Sequence, residues 1–461
     1  MSDPSQANAS KEDDVYALDT ALTDAIRTAV DEGSQSKLAE VLGPLHAADI
    51  ADLLEQISPG DRQSLIAVWG NDFNAGVLAE VEEGTRDDLL EELPDEVLAE
   101  AVKELDADDI VYLVEDLDEP EKERVLDALD ETDRAVVLSS LEFPENSAGR
   151  MMQRDFVMAP THWTVGDAID HMRASDDLPE QFYDVLVTDP RLRPVGTVAL
   201  SRIMANKRDV KIATLMEKEF RTLPADQTRE DVGYAFSQYH LVSAPVVDGD
   251  GRLVGIITID DAVEAMAEER DEDMMRLAGV GSEEDLSDTV WETTKQRFPW
   301  LFVNLITAIL ASLVISAFAS TIEALVALAV LMPIVASMGG NAGTQSMTVA
   351  VRALATRDLT ASNAWRIIWR EGLVGLMNGL AFAVIIGVVG MVWFGSPMLG
   401  VVLAIAMIGN LFVAGLAGIM IPILLDKIKI DPALASGAFV TTVTDVVGFF
   451  AFLGLAAVLL L

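Results

Sequence analysis

The chain has 461 residues, 51% of them hydrophobic and 23% charged, with a formal net charge of −43 and no cysteine. That length suits about three domains at ~150 residues each. The missing cysteines exclude disulfides, zinc–thiolate and iron–sulfur sites and cysteine nucleophiles, and a polyanion of this density disfavours nucleic acid and favours cations as partners. Four scattered histidines (His46, His162, His171, His240) offer little for a transition metal, whereas oxygen ligands for hard cations abound. The charge is uneven. Residues 298–461 hold six acids and six bases, so the whole excess lies in the first 297 residues.

In chain order, the polar, acidic start MSDPSQANASKEDD has no apolar core for a secretory signal, so the acidic region is expected in the cytoplasm. From residue 15 to about 145, segments such as AADIADLLEQI, LPDEVLAEAVKEL and DADDIVYLVEDL carry apolar residues at helical spacing, with Asp, Pro and Gly between them. This predicts a stacked all-α superhelix over 1–146, with most of its acids solvating a face.

From Gly149 the texture changes. APVVDGDGRLVGIITIDDAVEAM reads as strand, turn, strand and helix, and FYDVLVTDPRLRPVGTVALSRIM is an earlier copy. Each copy is preceded by a helix (VGDAIDHM, REDVGYAF) and a short extended stretch (FVMAP, FRTLP). The two units resemble a tandem pair of cystathionine-β-synthase (CBS) domains, α/β in class, over about 147–212 and 213–270. That resemblance implies a ligand sensor and, through a Gly-x-x-Thr-x-x-Asp pattern, an ATP-type nucleotide at Thr258 and Asp261 in the second copy. In the first copy Gly196, Ala199 and Arg202 stand at the matching places. Asp261 at a helix start is equally a cap.

Asp260, Glu264, Glu268 and Glu272 recur every four residues, so like charges stack on one helix face unless something neutralises them. Divalent cations held by this face, with the neighbouring Asp261 and Glu269, would do so and would bridge it to the helical domain. Residues 271–297 are then a connection, with a helix from Glu283 to Gln296 whose stripe is Leu286, Val290 and Thr293/Thr294, and with Trp291 and Trp300 near a membrane boundary.

Residues 298–461 form an all-α membrane domain. Charge-free windows at 298–322, 324–351, 372–425 and, allowing Asp445, 432–461 give five spans once the third is split at Gly395-Ser396-Pro397. Lysines and arginines occur only in alternate connections, which places the N-terminal region in the cytoplasm and the C-terminus outside. The second span contains GGNAGTQS, where Gly340, Asn341 and Gly343 suit a pore wall as well as a packing seam. The fifth contains TTVTDVVG. Asp445 there is ~20 Å from the helix start, and Ala438, Thr441 and Gly448 share its stripe. An intramembrane aspartate costs ~2.5–3.5 kcal/mol and by default marks an ion path. Small neighbours leave room for an ion that keeps part of its water shell, as magnesium does. The bland alternative is a neutral aspartic acid bonded to a threonine. No phosphate-binding loop accompanies these motifs, so an ATP-driven pump or other enzyme is not expected.

GGNAGTQS, RALATRDL, DPALASG and TTVTDVVG, in this domain order, resemble the MgtE family of magnesium channels and transporters. The resemblance implies a homodimer in the lipid bilayer of the cell membrane, with the pore on its axis and Asp445 of each subunit holding hydrated Mg2+. It also implies a connecting helix that plugs the pore when cytoplasmic Mg2+ is high, with Asp431 of DPALASG as its pore-side partner. A carrier for Co2+ or Mn2+, and a non-conducting CBS sensor, are the other readings.

Overall fold

The computed structural model describes residues 20–461 except 116, 118, 176–177, 180 and 281–289. The chain divides into two compact units, one ending at Met266 and the other beginning at Ala267.

The first unit opens with ten short α-helices among the described residues, from α1 (Thr20–Asp31) to α10 (Glu131–Leu141), with α8 spanning Ala107–Glu115. One apolar core runs through them, and Leu38, Leu54, Leu78, Val102 and Leu113 are fully buried. Local chemistry starts the helices where the sequence changes texture. Ser58 accepts the Asp61 N–H ahead of a helix opening at Pro59, and Asp130 accepts from the N–H groups of Thr132 and Asp133. The few bases work as cross-links. Buried Arg62 donates to the Leu54 carbonyl (3.1 Å) and to Asp88 (2.7 Å), and Arg124 donates to the Leu90 and Leu93 carbonyls and Asp95. Most of the acids are left on the surface, which fits the solvating face expected of them.

After α11 (Ala148–Met151) come the two CBS copies. In the first, β1 (Met158–Pro160) pairs parallel with β2 (Asp184–Thr188), which pairs antiparallel with β3 (Pro194–Ala199); α12 (Val165–Ala174), α13 (Leu200–Ala205) and α14 (Ile212–Leu215) accompany them. The second repeats this with β4 (Leu223–Pro224), α15 (Arg229–Tyr239), β5 (Ser243–Val247), β6 (Leu253–Thr258) and α16 (Ile259–Ala278). The internal repeat extends to the turn. Asp189 and Asp248 each accept two backbone N–H groups across it, and Leu192 and Gly251 both adopt positive φ. Only Gly251 suits that conformation without strain.

In the second unit, five helices are long and apolar enough to cross a membrane, as expected. They are α17 (Val290–Ala317), α19 (Ala327–Ala355), α20 (Ala364–Phe394), α21 (Pro397–Lys427) and α22 (Pro432–Leu459), with a short α18 (Ala319–Ala324) after the first. The split at Gly395-Ser396-Pro397 falls where the turn signal puts it: Gly395 has φ +65°, Ser396 caps α21 and Pro397 opens it. Two features depart from the sequence reading. Helix α16 runs unbroken through 270, past the expected end of the CBS pair. Residues 290–296 belong to the first spanning helix itself, with Pro299 inside it, and are no separate connecting helix. The rest of that expected helix, including Leu286, lies outside the described residues.

Helices α20 and α21 pack on glycine. A Cβ on Gly375 would stand 2.3 Å from the Leu411 carbonyl oxygen, and one on Gly415 would stand 2.5 Å from that of Glu371. Backbones approach this closely only where the side chain is missing.

Candidate ion path and regulatory carboxylates

Helix α22 starts at Asp431, whose carboxylate accepts the Ala433 N–H (2.8 Å), and it carries Asp445 about four turns further on. The Asp445 side chain is half-buried and makes no hydrogen bond or ion pair among the described residues. The threonines beside it are turned away. Thr441 donates to the Gly437 carbonyl (2.8 Å), Thr442 to Ala438 (2.6 Å) and Thr444 to Thr441 (2.9 Å). The neutral, threonine-bonded aspartic acid is therefore not what the structure holds. Ala438 is half-exposed and Thr441 exposed, and a Cβ at Gly437 would meet nothing within 4 Å, so space opens along this side of the helix.

The expected pore-wall residues separate into two sets. Gly340 faces open space and Asn341 is exposed. Gly343 and Gly448, also expected on the ion path, lie instead in a packed seam: a Cβ on Gly343 would stand 2.5 Å from Val440, and one on Gly448 would stand 2.8 Å from Asn410. The reason is rotation, since three residues along a helix turn a side chain ~60° away from its starting face. Asn410 of α21 closes that seam. Fully buried, it donates to the Val335 carbonyl (2.8 Å), leaves Oδ1 without a partner among the described residues and occupies the slot that Gly339 and Gly448 leave empty. Sequence reasoning missed it. The signal was there, since Asn410 is one of two asparagines in the charge-free stretch 372–425. Glu371 was likewise passed over: it is buried in α20 and accepts from Ser346 of α19 (3.1 Å).

At the α22 entrance, Asp431 is held by Arg276 of α16 at 3.1 Å, and Arg276 also pairs with Glu272 at 2.6 Å. Leu277 packs beside it against Met347, Val351, Ala433 and Val440. Asp273, absent from the sequence-based set, stands near Asp431, and burial together with that neighbouring charge raises its pKa. Two of the expected metal ligands, Glu272 and Asp431, are thus gathered here around a guanidinium.

The second carboxylate group lies within the first unit. Asp261 is the third residue of α16. It accepts from the Thr258 N–H (3.3 Å) and hydroxyl (2.7 Å) and from Gln153 (3.4 Å), and the bond from the Thr258 N–H is one half of a capping box. The Thr258 hydroxyl also contacts Asp260. Asp106, Asp108 and Asp109 at the start of α8 face Asp261. Burial first, and these mutual charges second, push the carboxyl groups up: Asp108 well above its ordinary value, Asp109 to about 7 and Asp261 in the same direction. Asp108 Oδ1 is buried without a partner among the described residues. In sequence, Asp106-Ala-Asp-Asp reads as acids favouring a helix start, which concealed this role. Of the other expected ligands, Asp260 and Glu264 are exposed and Glu268 and Glu269 half-buried. Among the described residues no three carboxylates converge into a ready metal cage. A hydrated Mg2+ needs none, because one or two carboxylates and its own waters suffice. At the nucleotide position of the first copy, Arg202 donates to the Leu215 carbonyl (3.0 Å).

Three family profiles match the chain: MgtE intracellular N domain over 45–146, CBS domain over 211–268, and MgtE, divalent cation transporter, over 332–455. The magnesium transporter MgtE of Bacillus subtilis (strain 168) is 32% identical over 316 residues, covering 68% of this chain and 70% of its own length. That of Thermus thermophilus is 33% identical over 325 residues, covering 69% and 71%. The chain belongs to the MgtE family. A crystal structure of the cytosolic domain of the Mg2+ channel MgtE in complex with ATP aligns at 27% identity and TM-score 0.49, covering 52% of this chain and 98% of its own. The divalent cation transporter profile covers α19 almost entirely, α20, α21 and most of α22, and so takes in Asp445, Asn410 and Glu371 together. The CBS profile matches the second copy alone, although the first copy has the same strand order.

Proposed function

We propose that this MgtE-family chain is a magnesium-selective channel or transporter that lets Mg2+ pass into the cytoplasm down its electrochemical gradient. The observation that carries this reading is Asp445: a carboxylate in a membrane-spanning helix with no protein cation or donor among the described residues, flanked by threonines bonded to their own helix and by open space over Gly437 and Gly340. A carboxylate in that setting demands a cation from outside the chain. The open side of α22 and α19 is the natural dimer axis, with one Asp445 from each protomer facing a shared hydrated ion. Asn341, Thr441 and Ala438 complete the lining on this reading, and Gly343 and Gly448 hold the helices that bear it.

Closure by cytoplasmic Mg2+ belongs to the same proposal. Asp108, Asp109 and Asp261 repel one another when ionised, so Mg2+ between them stabilises the approach of α8 to α16, and its departure favours separation. Asp431, Glu272 and Asp273 form the corresponding acid group at the membrane unit, with Glu264, Glu268 and Glu269 between the two along α16. A nucleotide at the CBS pair falls to one position, Thr258 and Asp261, since Arg202 occupies the other. The basic connections support an orientation with the N-terminal two thirds in the cytoplasm and the C-terminus outside.

The test is flux into proteoliposomes containing a fluorescent Mg2+ indicator, comparing wild type with Asp445→Asn and adding Co2+ and Mn2+ as competitors. Wild-type flux lost in the variant supports the reading. Absence of flux in verified dimers at low internal Mg2+ would overturn it in favour of a sensor. Equal flux in both would keep transport and reduce Asp445 to a structural residue.

A further inference from the structure

One face of α20 has a chemistry that ion transport does not use. Over its first four turns it presents Arg366, Trp369, Arg370, Leu373, Val374 and Met377, which line a shallow cavity of about 460 Å3. Every one of these side chains is exposed, yet the helix is among those long and apolar enough to cross a membrane. The residues are sorted along the axis. Both arginines lie at the end joined to the basic connection, and the apolar residues lie deeper. Arg366 to Met377 is 11 residues, ~16 Å at 1.5 Å per residue, about half of a ~30 Å hydrocarbon core.

The arginines are short of carboxylate partners. Arg366 makes no hydrogen bond or ion pair among the described residues. Among the described residues Arg370 has only Glu371 at 3.7 Å, and Glu371 is turned inward to Ser346. Asp358, in the connection before α20, accepts from the Thr356 hydroxyl. In a chain of net charge −43, two exposed guanidinium groups that share one long contact to a buried acid mark a place where an anion is expected from elsewhere. Trp365 and Trp369 pack edge to face beside them (5.9 Å), the residue type enriched at the headgroup level.

We propose that this face binds an anionic phospholipid of the cytoplasmic leaflet, with its phosphate on Arg366 and Arg370 and an acyl chain along Leu373, Val374 and Met377. Guanidinium groups hold phosphate through paired N–H donors, and basic pockets at the cytoplasmic end of membrane helices suit lipid headgroups. The inference takes only its leaflet from the orientation proposed above; a reversed chain moves the site to the other leaflet and leaves the binding intact.

The test is lipid retention by the full-length dimer in detergent, read by native mass spectrometry after equilibration with equal phosphatidylglycerol and phosphatidylcholine. The expected result is about tenfold enrichment of phosphatidylglycerol on the wild type. It should disappear in Arg366→Gln/Arg370→Gln and persist in Arg352→Gln/Arg357→Gln, which removes the same charge from the last turn of α19 and the connection after it. Equal enrichment in all three proteins, or none in the wild type, overturns the site, the first outcome pointing to bulk charge. A dimer that dissociates in the first variant overturns it in favour of a second copy of this chain on that face. Should that variant fail to fold, brominated lipids serve on the wild type. Bromination on phosphatidylglycerol should quench tryptophan fluorescence more than on phosphatidylcholine, and Trp365→Phe/Trp369→Phe should abolish the difference; an unchanged difference rejects the assignment.

Discussion

Asp445 and the Asp108, Asp109 and Asp261 group are both carboxylates withdrawn from water without a cation of their own, yet their surroundings differ in what can yield. Around Asp445 the frame is rigid. Gly339 and Gly448 admit Asn410, Gly343 admits Val440, and α20 and α21 touch backbone to backbone at Gly375 and Gly415. Helices locked this way do not open to relieve one charge, so relief comes from an ion that enters. The acids of the first unit instead sit at the starts of α8 and α16 and carry like charges towards each other. There repulsion acts on elements that can part. On the proposed reading the same residue type serves as a fixed ion-holding point in one region and as a sensor in the other, and packing makes the difference.

That contrast can be broken most sharply at Asp445. Asp445→Asn removes the charge and keeps the shape, and flux in proteoliposomes should fall by about a hundredfold, the equivalent of losing ~2–3 kcal/mol from a charged contact, with melting temperature little changed. A large loss of stability would mean that Asp445 is a structural group.

The rigidity of the frame is tested by Gly339→Ala. The new Cβ would stand 2.3 Å from Asn410 Nδ2, inside a seam with no slack, and should destabilise the membrane unit by ~1–3 kcal/mol. Combining it with Asn410→Ala should recover part of that loss, with a coupling of ~0.5–2 kcal/mol in thermal unfolding. Strict additivity would show that the two residues do not share the slot.

For the yielding region the measurement is Mg2+ stabilisation against pH. The carboxyl groups of Asp108, Asp109 and Asp261 titrate higher in the folded protein than unfolded, so their protonated forms favour the fold. Their contribution is greatest below about pH 4, the unfolded value, and is lost as pH rises towards and through about 7, the value for Asp109. Mg2+ should therefore raise the melting temperature more at pH 8 than at pH 5, and Asp109→Asn should flatten the change near pH 7. A Mg2+ effect independent of pH would remove these acids from the sensor.

The smallest effect is expected at Arg276. Its pairs with Glu272 and Asp431 are partly exposed, and exposed ion pairs contribute ~0–1 kcal/mol. Arg276→Gln should leave stability nearly unchanged while freeing both acids, so the Mg2+ concentration that closes flux should drop two- to threefold, by about the energy of one such pair. A rise in that concentration would show that Arg276 helps to hold the closed state.

Much of this molecule is written locally in the chain. Hydropathy over ~20 residues marks the five spans, Gly395-Ser396-Pro397 divides the third from the fourth, and the Asp-Gly-Asp-Gly turn announces the second CBS copy; each depends only on neighbours in sequence. Asp445 was legible for the same reason, since an acid in an apolar run is conspicuous whatever packs on it. What the sequence left undecided is which way each helix faces and which distant segments meet. Gly340 and Gly343 look alike in GGNAGTQS, and only the packing of α19 on α21 and α22 sends one to open space and the other against Val440. Asn410 acquires its place from glycines 71 and 38 residues away, Asp108 from Asp261, and Asp431 from Arg276. Spacing along a chain sets periodicity, but the phase of a helix and the identity of its neighbour are fixed by the burial of whole faces, which only the tertiary structure decides.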